Sequence, residues 1–304
     1  AAPHRLLVVP VEFSDKSFVR FAGDPDQPAK IQAHYQAQLF DEAYAKQDTL
    51  SHYFAVQSAG KYHLIGQVLE PVRLDDPLSV YGRPTKPKAG DWRNDGEMEF
   101  LIQDALAAAK IANPDFDWNN YDLWDPTDHD EDGVLDESDG YIDHLVMIYA
   151  GKGQASCQLL RGLNRTLNPN VGEEMLEQLS PAELACADRI WPHRSIVSRN
   201  EGKGPVSNNT PNALGGIPFT DNLWARDYNM QSEYTESSTF IHEFGHSIGL
   251  PDVYASSSNN STGMWEVMSS NASISPQNMS AWSRQQLGWD APLAIAPPAF
   301  GGEE

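Results

Sequence analysis

The sequence predicts an α+β fold, close to α/β, in which short buried strands alternate with helices. Apolar runs with the length and composition of buried strands lie at 6–13, 62–69 and 142–150. Helical spacing or composition marks four segments, 51–58, 96–112, 236–250 and 277–287. Because strands and helices alternate along the chain, we expect a twisted mixed sheet with helices packed on it.

Proline and glycine set several boundaries of these elements. Pro10 interrupts the first strand and predicts an edge-like break in its pairing. The helix at 51–58 stops at Gly60, and the helix at 96–112 ends before Pro114. The remaining predictions are an insertion with a short helix at 152–189, a loop at 202–216, a polar loop at 256–262 and a Pro- and Gly-rich tail at 291–304.

The composition restricts the classes of partner. The 304 residues include 21 Lys and Arg against 43 Asp and Glu, which gives a formal net charge of −22. This charge argues against nucleic acids and anionic membranes, because both are polyanions. No apolar run approaches the roughly 18 residues of a membrane span. The acidic balance is typical of a soluble extracellular protein that binds hard cations such as calcium.

The chain has two cysteines, Cys157 and Cys186. Two cysteines do not form a disulfide scaffold, but an oxidising compartment would permit one bridge between them. The alternative is a pair of free thiols, and the sequence leaves both possibilities open.

The pattern His-Glu-x-x-His at 242–246 carries the predicted chemistry. On a helix, a spacing of four residues places both imidazoles on one face, one turn apart. We predict that His242 and His246 bind zinc and that Glu243 is the general base that deprotonates a water molecule at the metal. The pattern by itself would also fit two ordinary histidines on a helix.

A third zinc ligand is predicted just after this helix. Gly249 can adopt the left-handed conformation that ends a helix, and Pro251 prevents the helix from resuming. The turn can return Asp252 to the metal, and three protein ligands leave one position for water. Glu266 is a competing carboxylate, so the choice stays open, with Asp252 as the preferred hypothesis.

The helix, the glycine turn and the third ligand resemble the metzincin signature, with aspartate where histidine is more usual. Metzincins carry a methionine on a tight turn beneath the metal, and Met268 is the candidate for it, although a plain core methionine is its ordinary interpretation. We expect one catalytic domain, 1–304, with a cleft between two lobes. The larger lobe, at 1–249, would hold the sheet and the active-site helix. The smaller lobe, at 250–304, would be mostly irregular or helical and would hold the methionine turn.

Longer segments resemble the immune inhibitor A family of secreted bacterial metallopeptidases. These are 7–15, 53–61, 143–151, 191–194, 242–254 and 281–289. The resemblance covers most of the chain, with 152–189 the part least like the family. It implies a zinc endopeptidase that hydrolyses extracellular proteins, is made with a pro-segment and is secreted. Tyr254 could lend a hydroxyl to the oxyanion, with packing as its ordinary role.

An acidic segment before the third strand resembles the start of a calcium loop. Alternating carboxylates followed by Gly133 give the pattern Asp-x-Asp-x-Asp-Gly, in which glycine permits the sharp turn. We predict a structural calcium ion held by Asp128, Asp130, Asp132, Asp136 and Asp139. A solvated acidic turn is the alternative. His129, within the segment, is expected to face solvent.

The sequence therefore predicts a secreted, monomeric zinc endopeptidase with protein or peptide substrates. One alternative is a catalytically inactive module of the same fold that keeps zinc and binds protein or glycan. Another is a zinc amidase that acts on a non-peptide bond. No serine or cysteine nucleophile has a supporting pattern, and no phosphate-binding glycine loop is present.

Overall fold

A computed structural model describes residues 3–41, 49–84, 98–157, 159, 177, 179–254, 262–269 and 275–291. The strands are β1 (His4–Glu12), β2 (Leu64–Val68), β3 (Val72–Arg73), β4 (His144–Tyr149), β5 (His193–Ile196), β6 (Val206–Ser207), β7 (Thr210–Pro211), β8 (Ile217–Pro218), β9 (Trp224–Ala225) and β10 (Asp227–Ser232). The α-helices are α1 (Gln27–Phe40), α2 (Leu50–Gln57), α3 (Leu78–Gly82), α4 (Met98–Ala112), α5 (Pro181–Ala187), α6 (Ser237–Ser247) and α7 (Ala281–Gln286). Short 3₁₀ helices lie at Trp118–Tyr121, Gln154–Ser156 and Gly263–Trp265.

The main sheet has the order β2-β1-β4-β10-β5, and β3 also pairs with β1. The pairs of β1 with β2, β3 and β4 are parallel, and so is the pair of β4 with β10. The edge strand β5 runs antiparallel to β10. The predicted α+β class and the mixed sheet are confirmed. No helix in the described ranges is both long enough and apolar enough to cross a membrane.

The break predicted at Pro10 occurs on one side of β1 only, and the strand itself is central and runs through Pro10 to Glu12. Pro10 lies opposite Ile148 of β4. On its other side β1 pairs with β2 over His4–Val8 and with β3 only from Val11 onward. Pro10 thus lies where β1 changes partner, and its missing N–H leaves no gap in a continuous ladder.

Side chains of β1 alternate between two apolar cores, one on each face of the sheet. Leu7 and Val9 pack with α4 on one face, and Leu6 and Val8 pack with α1, α2 and α6 on the other. Strand β4 is buried at every position because helices cover both faces. Each large apolar side chain buried in this way contributes about 1.5–3 kcal/mol of transfer free energy.

Local signals explain where the helices begin. The Thr49 hydroxyl accepts the His52 N–H at 3.1 Å and starts α2 close to the predicted boundary. The Ser280 hydroxyl accepts the Ser283 N–H at 3.2 Å, so α7 is shorter than the predicted 277–287. The predicted loop at 202–216 contains a small hairpin, β6–β7, whose turn residues Asn208 and Asn209 both have positive φ.

The two cysteines form a disulfide between Cys157 and Cys186, which are 29 residues apart. Helix α5 carries Cys186 and is the short helix predicted within the insertion. It begins with a capping box in which Ser180 and Glu183 bond each other's backbone N–H. The predicted polar loop lies almost wholly outside the described residues, and so does the tail after residue 291. The division into lobes at residue 249 stays a prediction.

Candidate metal centre

Helix α6 presents the two predicted histidine ligands side by side. Phe240, Ile241 and Phe244 are buried in the core beneath the sheet and fix the orientation of the helix. The imidazoles of His242 and His246 then lie one turn apart, with ring centroids separated by 4.9 Å. The helix register therefore brings both rings to the same side.

A tight turn ends the helix and reverses the chain. Gly249 has a φ of +102°, a conformation that L side chains rarely adopt. The Gly249 N–H donates to the His246 carbonyl at 3.0 Å, and the Leu250 N–H donates to the Gly245 carbonyl at 3.0 Å. These two bonds form a Schellman motif. The motif returns the chain towards the histidines.

The carboxylate of Asp252 lies between the two imidazoles. Its Oδ1 is 3.2 Å from His242 Nε2 and 3.3 Å from His246 Nε2. One ligand atom from each of the three side chains lies within 4.8 Å of the others. Two imidazole nitrogens and a carboxylate oxygen form a donor set that suits zinc and leaves a coordination position open.

The other nitrogen of each imidazole is bound to a backbone carbonyl. His242 Nδ1 donates to the Val267 carbonyl at 2.8 Å, and His246 Nδ1 donates to the Leu250 carbonyl at 2.7 Å. Because a carbonyl only accepts, Nδ1 carries the proton and Nε2 presents its lone pair to the site. Burial also lowers the pKa of His242, which favours the neutral, metal-binding form. These two carbonyl partners could not be predicted from the residue types.

Glu266 lies apart from the three donors and has partners of its own. Its Oε1 accepts the Met268 N–H at 3.3 Å, and its Oε2 accepts the Ser280 N–H. The residue is 1 % exposed. This carboxylate therefore connects the methionine turn to the start of α7, whereas Asp252 is the carboxylate that lies beside the histidines.

Met268 is fully buried against helix α6. Its sulfur occupies the space where a side chain at Gly245 would begin. The Met268 carbonyl also accepts the Val253 N–H at 2.9 Å, next to Asp252. The residue thus supports both the helix with the histidines and the segment with the aspartate.

Glu243 is bonded to the edge strand β5. Its Oε2 accepts the backbone N–H of Arg194 at 2.9 Å. Burial raises the pKa of Glu243 to about 8. Sequence reasoning missed Arg194 as a partner, because a backbone donor leaves no residue-type signature.

The three donors open into a cleft of about 280 Å³. Trp191, Arg194 and Glu243 line it together with Tyr254. The Tyr254 ring is nearly parallel to that of His242, with an interplanar angle of 18° and centroids 6.5 Å apart. Tyr254 is 42 % exposed, so it forms a wall of the cleft rather than part of the core.

Three of the five predicted calcium ligands lie together in the acidic segment. Oxygens of Asp128, Asp130 and Asp132 lie within 4.8 Å of one another. Asp136 is exposed and is not a member of this group of described carboxylates. Asp139 is buried, and its Oδ1 accepts the Tyr141 N–H at 2.8 Å. Burial raises the pKa of Asp139 to about 7.

The expectation that His129 faces solvent is wrong. Its side chain is only 4 % exposed, and Nδ1 lies 2.5 Å from Oδ2 of the fully buried Asp125. Its Nε2 lies 3.2 Å from the Ser207 carbonyl. Burial alone would lower the pKa of His129, but these two acceptors outweigh it and raise the pKa. His129 therefore joins the acidic segment to the β6–β7 hairpin.

Comparison with known proteins agrees with the resemblance seen in the sequence. The family model of the immune inhibitor A peptidase M6 catalytic domain matches residues 3–162 and 180–291. The pre-pro-metalloprotease PrtV of Vibrio cholerae serotype O1 is 26 % identical over 270 residues, which cover 84 % of this chain and 26 % of that protein. Immune inhibitor A of Bacillus thuringiensis subsp. alesti is 27 % identical over 260 residues, which cover 82 % of this chain and 33 % of that protein.

The chain thus spans about a quarter to a third of the length of these relatives. The family match covers the main sheet, helix α6, the turn at Gly249 and the segment that contains Met268. The chain belongs to the immune inhibitor A peptidase M6 family of metallopeptidases and contains the catalytic domain of that family.

Proposed function

We propose that this chain is the catalytic domain of a secreted zinc-dependent endopeptidase. His242, His246 and Asp252 hold the zinc, and Glu243 is the general base. The observation that carries the proposal is the convergence of two Nε2 atoms and one carboxylate oxygen at 3.2–3.3 Å, with both Nδ1 atoms bound to carbonyls. Such carbonyl bonds fix the tautomer and the ring orientation of metal-binding histidines.

The chemistry follows from the positions of the side chains. When bound, zinc supplies Lewis acidity and lowers the pKa of a coordinated water molecule towards about 7. Glu243 has one oxygen held by the Arg194 N–H, which leaves Oε1 to accept the water proton. The same carboxyl group then donates this proton to the leaving amine. Trp191 and Tyr254 flank the cleft and confine the peptide.

Secretion, a pro-segment and a structural calcium ion belong to the same proposal. The name of the Vibrio relative, a pre-pro-metalloprotease, supports synthesis with segments that precede the catalytic domain. The disulfide between Cys157 and Cys186 is typical of an oxidising compartment. The cluster of Asp128, Asp130 and Asp132 supports calcium. We propose a monomer that acts on proteins or peptides.

The inactive binding module is the competing proposal. The intact Glu243 argues against it, because a module that only binds metal does not require a buried carboxylate beside the ligands. The zinc amidase remains distinct, since it would use the same metal chemistry on a different bond.

Hydrolysis of a fluorogenic peptide library by protein of known zinc content tests the proposal. We expect cleavage that a chelator stops and that added zinc restores. Zinc-loaded protein that cleaves no peptide would contradict the endopeptidase and favour the binding module. Cleavage restricted to non-peptide amides would favour the amidase.

A further inference from the structure

A second cavity adjoins the metal cleft. Its volume is about 390 Å³, and it shares Arg194 and His246 with the cleft that holds the three donors. The end of the active-site helix, 246–249, forms one wall. The volume is within the range of pockets that bind small molecules, roughly 300–1,000 Å³. The two cavities therefore lie side by side, with Arg194 and His246 in the wall of each.

The lining of the cavity is predominantly apolar. Trp124, Ile142, Leu214 and Ile248 contribute to its walls, together with the ring of Tyr141. Such walls favour a large apolar or aromatic side chain, because aromatic rings bury much area and pack against other rings.

Several charged groups of the lining have partners within the protein. Arg194 pairs with Asp227 through Nη2 and Oδ2. Arg226 donates its Nε–H to the Leu214 carbonyl at 3.1 Å. Asp143 accepts the backbone N–H groups of Leu123 at 3.1 Å and Trp124 at 3.2 Å. Arg194 thus has its counter-charge in Asp227, and the phenol or indole of an aromatic side chain can donate to a carboxylate oxygen of the lining.

We infer that this cavity is the specificity pocket of the peptidase and takes an aromatic side chain of the substrate from a residue near the scissile bond. The inference rests on the proposed function, because the substrate is a peptide bound at the metal. Because the cavity shares Arg194 and His246 with the metal cleft, the occupant we assign to it is a side chain of that peptide.

Leu214 is a partly exposed position at which the pocket can be altered outside the buried core. It lines the cavity and is 40 % exposed, and it lies far along the chain from the three donors. Leu214→Trp places a large ring at the mouth, and Leu214→Ala widens it. Ile111→Trp is the matched control, because Ile111 is 82 % exposed on α4 and does not line the cavity.

The test measures peptide binding to the zinc-loaded Glu243→Gln protein, so that it does not depend on turnover. Each peptide of the set carries Phe, Trp, Lys, Glu or Ala at one scanned position. We expect one position at which Phe and Trp bind roughly 10-fold or more tighter than Ala. Leu214→Trp should bring that ratio towards 1, whereas Leu214→Ala and Ile111→Trp should keep it.

This design separates failure of the pocket from failure of the proposed enzyme. Equal binding of Phe, Trp and Ala peptides at every position would overturn the pocket. Strongest binding of Lys or Glu peptides would also overturn it, and so would a Phe-to-Ala or Trp-to-Ala binding ratio that Leu214→Trp leaves unchanged. The same peptides given to wild-type zinc protein report turnover. Selective binding without any cleavage would overturn the proposed enzyme and leave the pocket standing.

Discussion

The sulfur of Met268 lies 2.5 Å from the point where a Cβ at Gly245 would be placed. Real Cβ atoms essentially never approach another atom so closely, so a side chain at position 245 would force Met268 to shift. The contact joins the helix that carries both histidines to the turn whose Val267 carbonyl holds His242. Packing and metal-site geometry are therefore coupled at this one contact.

Gly245→Ala should destabilise the domain by about 1–3 kcal/mol, because overpacking displaces the buried methionine. Urea unfolding measures the change. The double variant Gly245→Ala with Met268→Ala separates this clash from a general effect of alanine in the helix. Met268→Ala alone leaves a cavity that the new methyl group partly fills, so the double variant should be more stable than the sum of the single changes predicts. Strict additivity would show that the two residues do not interact as described.

Glu243→Gln should keep zinc and lose at least about 100-fold in turnover, the lower end of what a general base contributes. The amide can still accept the Arg194 N–H but cannot take a proton from water. Metal analysis and peptide hydrolysis, measured on the same sample, check both halves of the prediction. Glu236→Gln, an exposed change at the start of the same helix, is the control and should be fully active. Normal proteolysis by a zinc-loaded Glu243→Gln protein would remove Glu243 as the base.

Asp252→Ala and Glu266→Ala should separate metal binding from folding. Asp252 lies between the imidazoles and is predicted to bind zinc directly. Loss of a residue that only hydrogen-bonds to a zinc ligand typically weakens metal affinity by roughly 10–100-fold, so the loss of Asp252 should weaken it by more. Glu266 bonds two buried backbone N–H groups, so its loss should lower stability by about 1–3 kcal/mol while zinc binds. Zinc titration and urea unfolding report the two quantities. Full zinc occupancy in Asp252→Ala with zinc lost in Glu266→Ala would reverse the assignment.

The parts of the site that could be predicted are those set by local spacing. The positions of His242 and His246 follow from the helical repeat, and the return of Asp252 follows from Gly249 and Pro251. The family is confirmed as well. The long-range partners could not be predicted, since the Arg194 N–H reaches Glu243 across 49 residues of sequence through strand pairing.

Tertiary context also overrode two local interpretations. Pro10 would normally exclude a central strand, but β1 changes partner at that residue. His129 lies in a run of acids that predicts exposure, yet the buried carboxylate of Asp125 holds it inside. In both cases the decisive neighbour is set by the fold and not by the adjacent sequence.

His144 should make the domain acid-sensitive. Burial, with a smaller effect of His4, lowers the pKa of His144 to about 3 from an ordinary value of about 6.5. Among the described residues, no group hydrogen-bonds to its Nδ1, so a proton there would be buried without an acceptor. Between pH 6.5 and 3 the unfolded chain binds a proton that the folded chain does not. The free energy of unfolding therefore falls as the pH falls, by about 2 kcal/mol from pH 7.5 to 5.

His144→Gln should remove this part of the pH dependence, as measured by urea unfolding at pH 7.5 and 5. A chelator in all samples keeps metal release out of the comparison. His63→Gln, at an exposed position on the chain just before β2, is the control and should keep the wild-type pH dependence. An unchanged difference between the two pH values in His144→Gln would mean that other groups cause the acid sensitivity.

Calcium should stabilise the domain through Asp128, Asp130 and Asp132, because three carboxylates whose oxygens lie within 4.8 Å repel one another until a cation neutralises them. The test adds calcium to calcium-free protein at a fixed, saturating zinc concentration. The melting temperature should rise by about 5 °C once the calcium concentration is well above its dissociation constant. Asp130→Asn should abolish most of this rise, because it removes one of the three carboxylates of the cluster. Asp136→Asn should keep the rise, since Asp136 is exposed and lies outside the cluster. A melting temperature that calcium leaves unchanged would identify the segment as a solvated acidic turn, and loss of the rise only in Asp136→Asn would require a different ligand set.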